Sequence, residues 1–116
     1  MQRDIIASYE LLARKEGEPP FSVRVFMCKP IQRESMAPAW CCEVTVDPLW
    51  SRPFEIYGEG SFQALCLGAK HAVRMLATFI DQGGTLESPE GELFDPEVFG
   101  FKLLPLAERA SEASDA

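Results

Sequence analysis

Apolar and polar residues alternate through the first half of the chain, and the period becomes helical in the second half. The alternation is cleanest from Phe21 to Cys28. There Phe21, Val23, Val25 and Met27 share one face, and Ser22, Arg24, Phe26 and Cys28 the other. A period of two is that of a pleated strand with one buried face. Lys29-Pro30 ends the run, because proline has no N–H for a ladder. Residues Ile31 to Pro38 are polar and end in proline, which predicts a flexible connection. Ala39 to Asp47 repeats the strand pattern, with Trp40, Cys42, Val44 and Val46 against Cys41, Glu43, Thr45 and Asp47. A turn held between Pro48 and Pro53 follows, then a short strand, Phe54-Glu55-Ile56-Tyr57, with Phe54 and Ile56 inward.

The segment from Asp4 to Arg14 satisfies both periods. Ile5, Ile6, Tyr9, Leu12 and Ala13 fall at helical spacing behind Asp4 as an N-cap, and this spacing leans towards a helix. As a strand it places Ile5, Ala7, Tyr9 and Leu11 on one face and Ile6, Ser8, Glu10 and Leu12 on the other. Lys15-Glu16-Gly17-Glu18-Pro19-Pro20 is then a turn.

The helical period runs from near Ser61 to Gly83-Gly84. Ser61 is the expected N-cap and Gly83 the expected left-handed terminator. Phe62, Leu65, Ala69, Ala72, Val73, Leu76 and Ile80 form the predicted apolar stripe, with Gln63, Lys70, His71, Arg74, Thr78 and Asp81 opposite. About 20 residues at 1.5 Å each make a rod of roughly 30 Å, enough to cross a small sheet. One apolar stripe has to be buried, and the strands are the only sizeable partner. Short turns between the strands require antiparallel pairing. The predicted architecture is therefore α+β, a four-stranded antiparallel meander with one long helix packed on one face, plus a C-terminal extension. Thr85 to Pro96 is rich in turn residues and acids, while Val98 to Leu104 is apolar and is expected to add an edge strand or cap the open end of the sheet. Residues 1–106 are read as one domain and 107–116, small and polar, as a disordered acidic tail.

At 116 residues, 47 % hydrophobic and 25 % charged, the composition is that of an ordinary globular domain. The net charge is −7; Glu108, Glu112 and Asp115 against Arg109 give the tail −2 and leave −5 for the body. Lys and Arg form no stripe, so neither nucleic acid nor an anionic membrane surface is an expected partner. No apolar run approaches the roughly 20 residues of a spanning helix. Cys28, Cys41, Cys42 and Cys66, with no secretory leader pattern, predict free thiols in a reducing cytosol. Cys41 and Cys42, adjacent on a strand, point to opposite faces.

Candidate chemistry is thin. Gly58-Glu59-Gly60-Ser61 lies between a strand and a helix, as phosphate loops do. Gln63 stands where the dinucleotide fingerprint needs its third glycine, and no Gly-Lys-Ser or Gly-Lys-Thr occurs. Glu59 in place of the first glycine also excludes a nucleophile elbow. His71, the one histidine, lies ten residues from Ser61, about 15 Å along a helix, too far for a nucleophile and base pair. The cysteines lack the short paired spacings of zinc sites, and Glu87, Glu90, Glu92 and Asp95 lack those of a calcium loop. No catalytic residue, metal or cofactor is predicted. The aromatic residues Phe26, Trp50, Tyr57, Phe94, Phe99 and Phe101 exceed what one sheet face needs, so some are expected to cover the second face or to meet a partner.

Three stretches resemble an uncharacterised family of small bacterial domains over approximately residues 5 to 82. They are Gly17-Glu18-Pro19-Pro20 leading to Val23-Arg24-Val25 and Lys29-Pro30; Trp40-Cys41-Cys42; and Gly58 followed by Ser61-Phe62-Gln63-Ala64-Leu65-Cys66-Leu67. The resemblance implies a β-β-β-β-α order, which makes the first segment a strand. It implies no activity and no site residues. The leading expectation for function is a non-enzymatic protein-binding or interaction module of the cytosol, with a protein partner or a second copy as ligand. Gln63, Trp50, Tyr57, Phe99 and Phe101 are the expected partner contacts. The alternatives are an immunity or antitoxin-like inhibitor, whose acidic body would meet a basic toxin, and a small-molecule enzyme built on Cys28, Cys42 or His71.

Overall fold

The computed structural model describes residues 4–34 and 40–102. Strands β1 (Ile5–Arg14), β2 (Phe21–Cys28), β3 (Ile31–Gln32), β4 (Trp40–Asp47) and β5 (Phe54–Gly58) precede helix α1 (Ser61–Asp81). A short strand β6 (Thr85–Glu87) and a 3-10 turn at Pro96–Phe99 follow. The fold is α+β, one antiparallel sheet with a long helix packed against it, as expected. The four strands read from the alternation form the meander β1-β2-β4-β5, and two short strands extend it.

Both additions fall where the pattern pointed elsewhere. The stretch read as a flexible connection begins with β3, whose Ile31 and Gln32 pair with Cys41 and Trp40 on the side of β4 that β2 also occupies. Pro30 interrupts that edge, so β3 resumes it after a break. The remainder of the connection, residues 35–39, and the expected tail lie outside the described residues. The C-terminal edge strand is Thr85–Glu87, on Leu12 to Arg14 of β1, and not the Val98 region, which turns as a 3-10 helix.

The first segment is a strand. Leu11 and Ala13 sit in the core opposite Val23 and Phe21. Between Ile5 and Ala7 the register shifts: Ile5 pairs with Cys28 and Ala7 with Met27. That bulge breaks the alternation, so Ile5 shares the Cys28 face and does not stand with Ala7, Tyr9 and Leu11.

The helix lies on the face built from Leu11, Val23, Val25, Met27, Cys42, Val44 and Val46. It comes close because small residues face the sheet. Ala64, Gly68 and Ala72 are buried, and a Cβ added at Gly68 would lie 2.9 Å from the Cys42 sulfur and 3.2 Å from Val44. This phase differs from the predicted stripe at both ends. Phe62 is 78 % exposed, while Thr78, read as polar-face, is buried, with Oγ1 donating to the Arg74 carbonyl at 3.0 Å. His71 is also half-buried. A stripe centred on Ala64, Gly68, Ala72 and Leu76 leaves Phe62 at its flank.

The helix start departs from expectation as well. Gly60 is the N-cap, in an extended conformation without a side-chain cap, and the Ala64 N–H donates to its carbonyl at 3.0 Å. Ser61 is the first helical residue. Gln63 closes the start instead: its Oε1 accepts from the Glu59 N–H at 2.7 Å, one residue upstream of the N-cap amide that a capping box would use. Gly58 is needed for proximity, since an added Cβ would stand 2.6 Å from the Ala64 nitrogen. The helix ends as predicted at Gly83, φ +98°, with Gly83 N–H to the Ile80 carbonyl and Gly84 N–H to the Phe79 carbonyl. These are the paired bonds of a Schellman motif.

Two glycine substitutions test the close approach. Gly68→Ala gains roughly 1 kcal/mol of helix propensity but drives a methyl into a fully buried thiol, and a net loss of about 1–2 kcal/mol is expected in urea unfolding. Adding Cys42→Ala is expected to recover most of that loss. Gly58→Ala meets backbone, which cannot rotate away, and Cys42→Ala is expected to leave its loss unchanged.

Candidate functional site

The five expected contact residues do not converge. Gln63 caps the helix start, Tyr57 lies on the sheet face away from α1, and Trp50 belongs to the loop between β4 and β5. Phe99 packs edge-on against Tyr9, ring centroids 6.1 Å apart, and Phe101 is half-buried near the end of the described residues. Two surfaces emerge in their place.

The first is the N-terminal half of β1. β6 pairs only with Leu12, Ala13 and Arg14, so among the described residues no strand occupies the outer edge from Ile5 to Leu11. Ile5, Ile6 and Tyr9 are 56 %, 49 % and 37 % exposed there. Tyr9 joins Phe94 and Phe99 in a ring cluster with centroid distances of 5.6 to 6.1 Å, and Val98 beside it is exposed. Tyr9 lies two residues before core-facing Leu11 and shares its face, so this cluster extends the face that α1 covers. The surplus aromatics Phe94 and Phe99 therefore do not cover the second sheet face. That face carries Cys41, Phe26 and Tyr57, with Arg33 and Glu55 paired at 2.7 Å. Burial, then the neighbouring Cys41 thiol and Glu55, push the Tyr57 hydroxyl's pKa up.

The second surface is a cleft of about 980 Å³ at the pole where the β1–β2 turn, the β4–β5 loop and the C-terminal half of α1 meet. Phe21, Trp50, Phe54 and Phe79 form its walls, and Lys15, Glu18 and Arg74 are its charged residues. Phe54 holds Trp50 at 5.9 Å and His71 at 4.4 Å between ring centroids. The loop enters through a cis Asp47–Pro48 peptide and is anchored by the Trp50 N–H on the Val46 carbonyl, 3.0 Å. His71 Nε2 is sealed from solvent and has no hydrogen-bond partner among the described residues. Burial, followed by the nearby Arg74 charge, holds its pKa below the usual histidine value. A helical wheel puts His71 on the outer face; only the packing of Phe54, at the start of β5, against it reveals the site.

Nucleophilic chemistry has little to work with here. Among the described residues no cysteine or serine lines the cleft. Cys42 is fully buried, donates to the Cys28 carbonyl at 3.4 Å, and burial together with Cys28 and Cys41 pushes its pKa up to about 11. A thiol so placed stays protonated near neutrality and is a poor nucleophile. Among the described residues no three His, Cys, Asp or Glu side chains gather to hold a metal ion. None of their helices is long and apolar enough to cross a membrane. No protein family, curated protein or solved structure gives a significant match to the chain.

The His71 environment makes stability depend on pH. Because the folded state lowers its pKa, the unfolded state binds more protons in the window just below the ordinary value of about 6.5. Stability is therefore complete above that value and falls as pH drops through it. NMR titration is expected to place the His71 midpoint below the free-histidine value. The urea midpoint is expected to fall between neutral and mildly acidic pH, and less so in His71→Gln.

Proposed function

We propose that this domain is a non-enzymatic interaction module that uses the N-terminal half of β1, and that its partner is a second copy of the chain. The supporting observation is the outer edge from Ile5 to Leu11, unpaired among the described residues and carrying or flanked by exposed Ile5, Ile6, Tyr9, Val98 and Phe99. Free edges present rows of N–H and C=O groups that another strand can satisfy, and folded proteins normally blunt them with charge. Here the run from Ile5 to Tyr9 contains no Asp, Glu, Lys or Arg.

Charge favours this location. Two copies of a chain with net charge −7 repel at a distance, so contact is best tolerated where charges are missing. A two-fold contact places the same strip on both sides and satisfies two edges at once. The bulge bends β1 at Ile6, so Ile5 and Ile6 supply apolar contact and the residues from Ala7 onward supply the ladder.

Light scattering across a concentration series is expected to show a dimer. The double substitution Ile5→Lys with Ile6→Lys is expected to weaken dimerisation at least about tenfold, roughly 1.4 kcal/mol, while leaving the circular dichroism spectrum unchanged. A strict monomer at about 100 µM, which makes any self-association weaker than about −5.5 kcal/mol, would remove the self-pairing reading.

A further inference from the structure

The outer edge of β1 carries a pattern of backbone groups that selects one way for a second copy to join it. Building on the self-pairing proposed above, we infer that two copies join antiparallel about a two-fold axis at Tyr9. Ser8 of each copy then stands opposite the partner's Glu10.

Which backbone groups face outward follows from β6. On its outer side the Phe94 N–H donates to the Leu86 carbonyl and the Ser88 N–H to the Glu92 carbonyl. Leu86 and Ser88 thus turn their groups away from β1, and Thr85 and Glu87 turn theirs towards it, since direction alternates along a strand. Leu12 pairs with Glu87 and Arg14 with Thr85, so Leu12 and Arg14 turn their groups to β6. By the same alternation Glu10 and Ser8 turn theirs outward, while those of Tyr9 and Leu11 turn to β2. Ser8 and Glu10 are exposed, and with Tyr9 they line an open hollow of about 480 Å³.

The bulge and β6 set the limits of the usable edge. Before the bulge, the Asp4 carbonyl accepts from the Lys29 N–H at 2.7 Å, so Asp4 turns to β2, as Tyr9 and Leu11 do after it. The extra residue has reversed the alternation, and the regular outward pattern ends at Ala7. At the other end β6 takes over from Leu12. A partner strand therefore has the segment from Ala7 to Leu11 to pair with, and the middle of that segment is Tyr9.

Hydrogen bonding separates the registers that a two-fold axis allows. Residues with outward groups must face one another, and each such pair exchanges two bonds. With the axis at Tyr9, Ser8 meets the partner's Glu10 and Glu10 meets the partner's Ser8, two pairs and so four bonds. With the axis at Ser8, that residue meets its own copy for two bonds, and Glu10 falls opposite the partner's Ile6, inside the bulge. With the axis at Glu10, two carboxylates face each other, and Ser8 meets the partner's Leu12, which β6 already occupies. The Tyr9 axis also sets that ring against its copy in a non-hydrogen-bonded pair, with Cα atoms about 4.5 Å apart. Each Tyr9 packs with Phe94 and Phe99, so two ring clusters meet across the axis. The two Glu10 carboxylates stand diagonally, each with Arg24 at 3.9 Å.

Cross-linking and hydrogen exchange of the full chain read the register. Cys66→Ser removes the exposed thiol and leaves the buried ones. In that background, with oxidised glutathione as oxidant, Tyr9→Cys is expected to join two copies at least about tenfold faster than Ser8→Cys or Glu10→Cys. Its Cα separation of about 4.5 Å suits a disulfide, whereas theirs, diagonal at about 7–8 Å, do not. In the unaltered chain the Ser8 and Glu10 amides are expected to exchange severalfold more slowly as rising concentration carries monomer to dimer. The Leu12 amide, bonded to β6, is expected to be slow throughout. A dimer by light scattering in which Ser8→Cys or Glu10→Cys cross-links fastest, or in which the Ser8 and Glu10 amides stay unprotected, would overturn this register and leave self-association standing. A monomer at about 100 µM would remove both.

Discussion

The contact between Gly68 and the Cys42–Val44 stretch of β4 sets the spacing on which the molecule depends. Helices resting on sheets are normally held off by the side chains between them. Here Ala64, Gly68 and Ala72 bring the backbone down, and Gly58 lets β5 turn straight into the first helical turn. The thiol of Cys42 fills the remaining space and donates to the Cys28 carbonyl beside the break between β2 and β3. One tight contact thus fixes the helix height, locks the rotamer of a buried cysteine and satisfies a carbonyl where the sheet edge is interrupted.

Seating the helix low at its start has consequences further along. Leu76 and Phe79 are larger than Gly68 and Ala72, and both are buried beneath the C-terminal half of α1. There the β1–β2 turn and the β4–β5 loop rise around the helix and leave a cleft. The Schellman ending then turns the chain back so that β6 can reach β1. Because β6 has only three residues, it covers one end of a ten-residue strand and leaves the other end without a strand partner among the described residues. Both candidate surfaces therefore follow from lengths: a helix that spans the sheet and a final strand that does not.

Local pattern carried much of the fold. The strict alternation of Phe21 to Cys28 and of Trp40 to Asp47 marked central strands, because one buried face imposes a period of two. Gly83 marked the helix end because only glycine takes that positive φ without strain. The pattern was misleading where local and tertiary demands part. Phe62 completes an apolar spacing yet stands in solvent, since the helix rotates to put its smallest residues against the sheet. Gln63 looked surplus to packing, and its side chain is taken up by the backbone of Glu59. Ile31 and Gln32 are too short a run to carry any periodicity, and they pair because β4 extends beyond the end of β2.

For the candidate sites, the sequence by itself determined the ingredients: an acidic chain, a lone histidine on a helix, prolines that force two loops, and aromatics beyond the needs of one face. It also determined that Cys41 and Cys42 part to opposite faces, a consequence of strand geometry alone. Only the tertiary structure decided which of these meet. His71 is polar by its place on a helical wheel and half-buried in fact, because Phe54, seventeen positions earlier in the chain, folds across it. Tyr9 finds Phe94 and Phe99 from the far end of the chain. Such contacts join residues through loop closure and sheet pairing, which no periodicity within a single segment encodes.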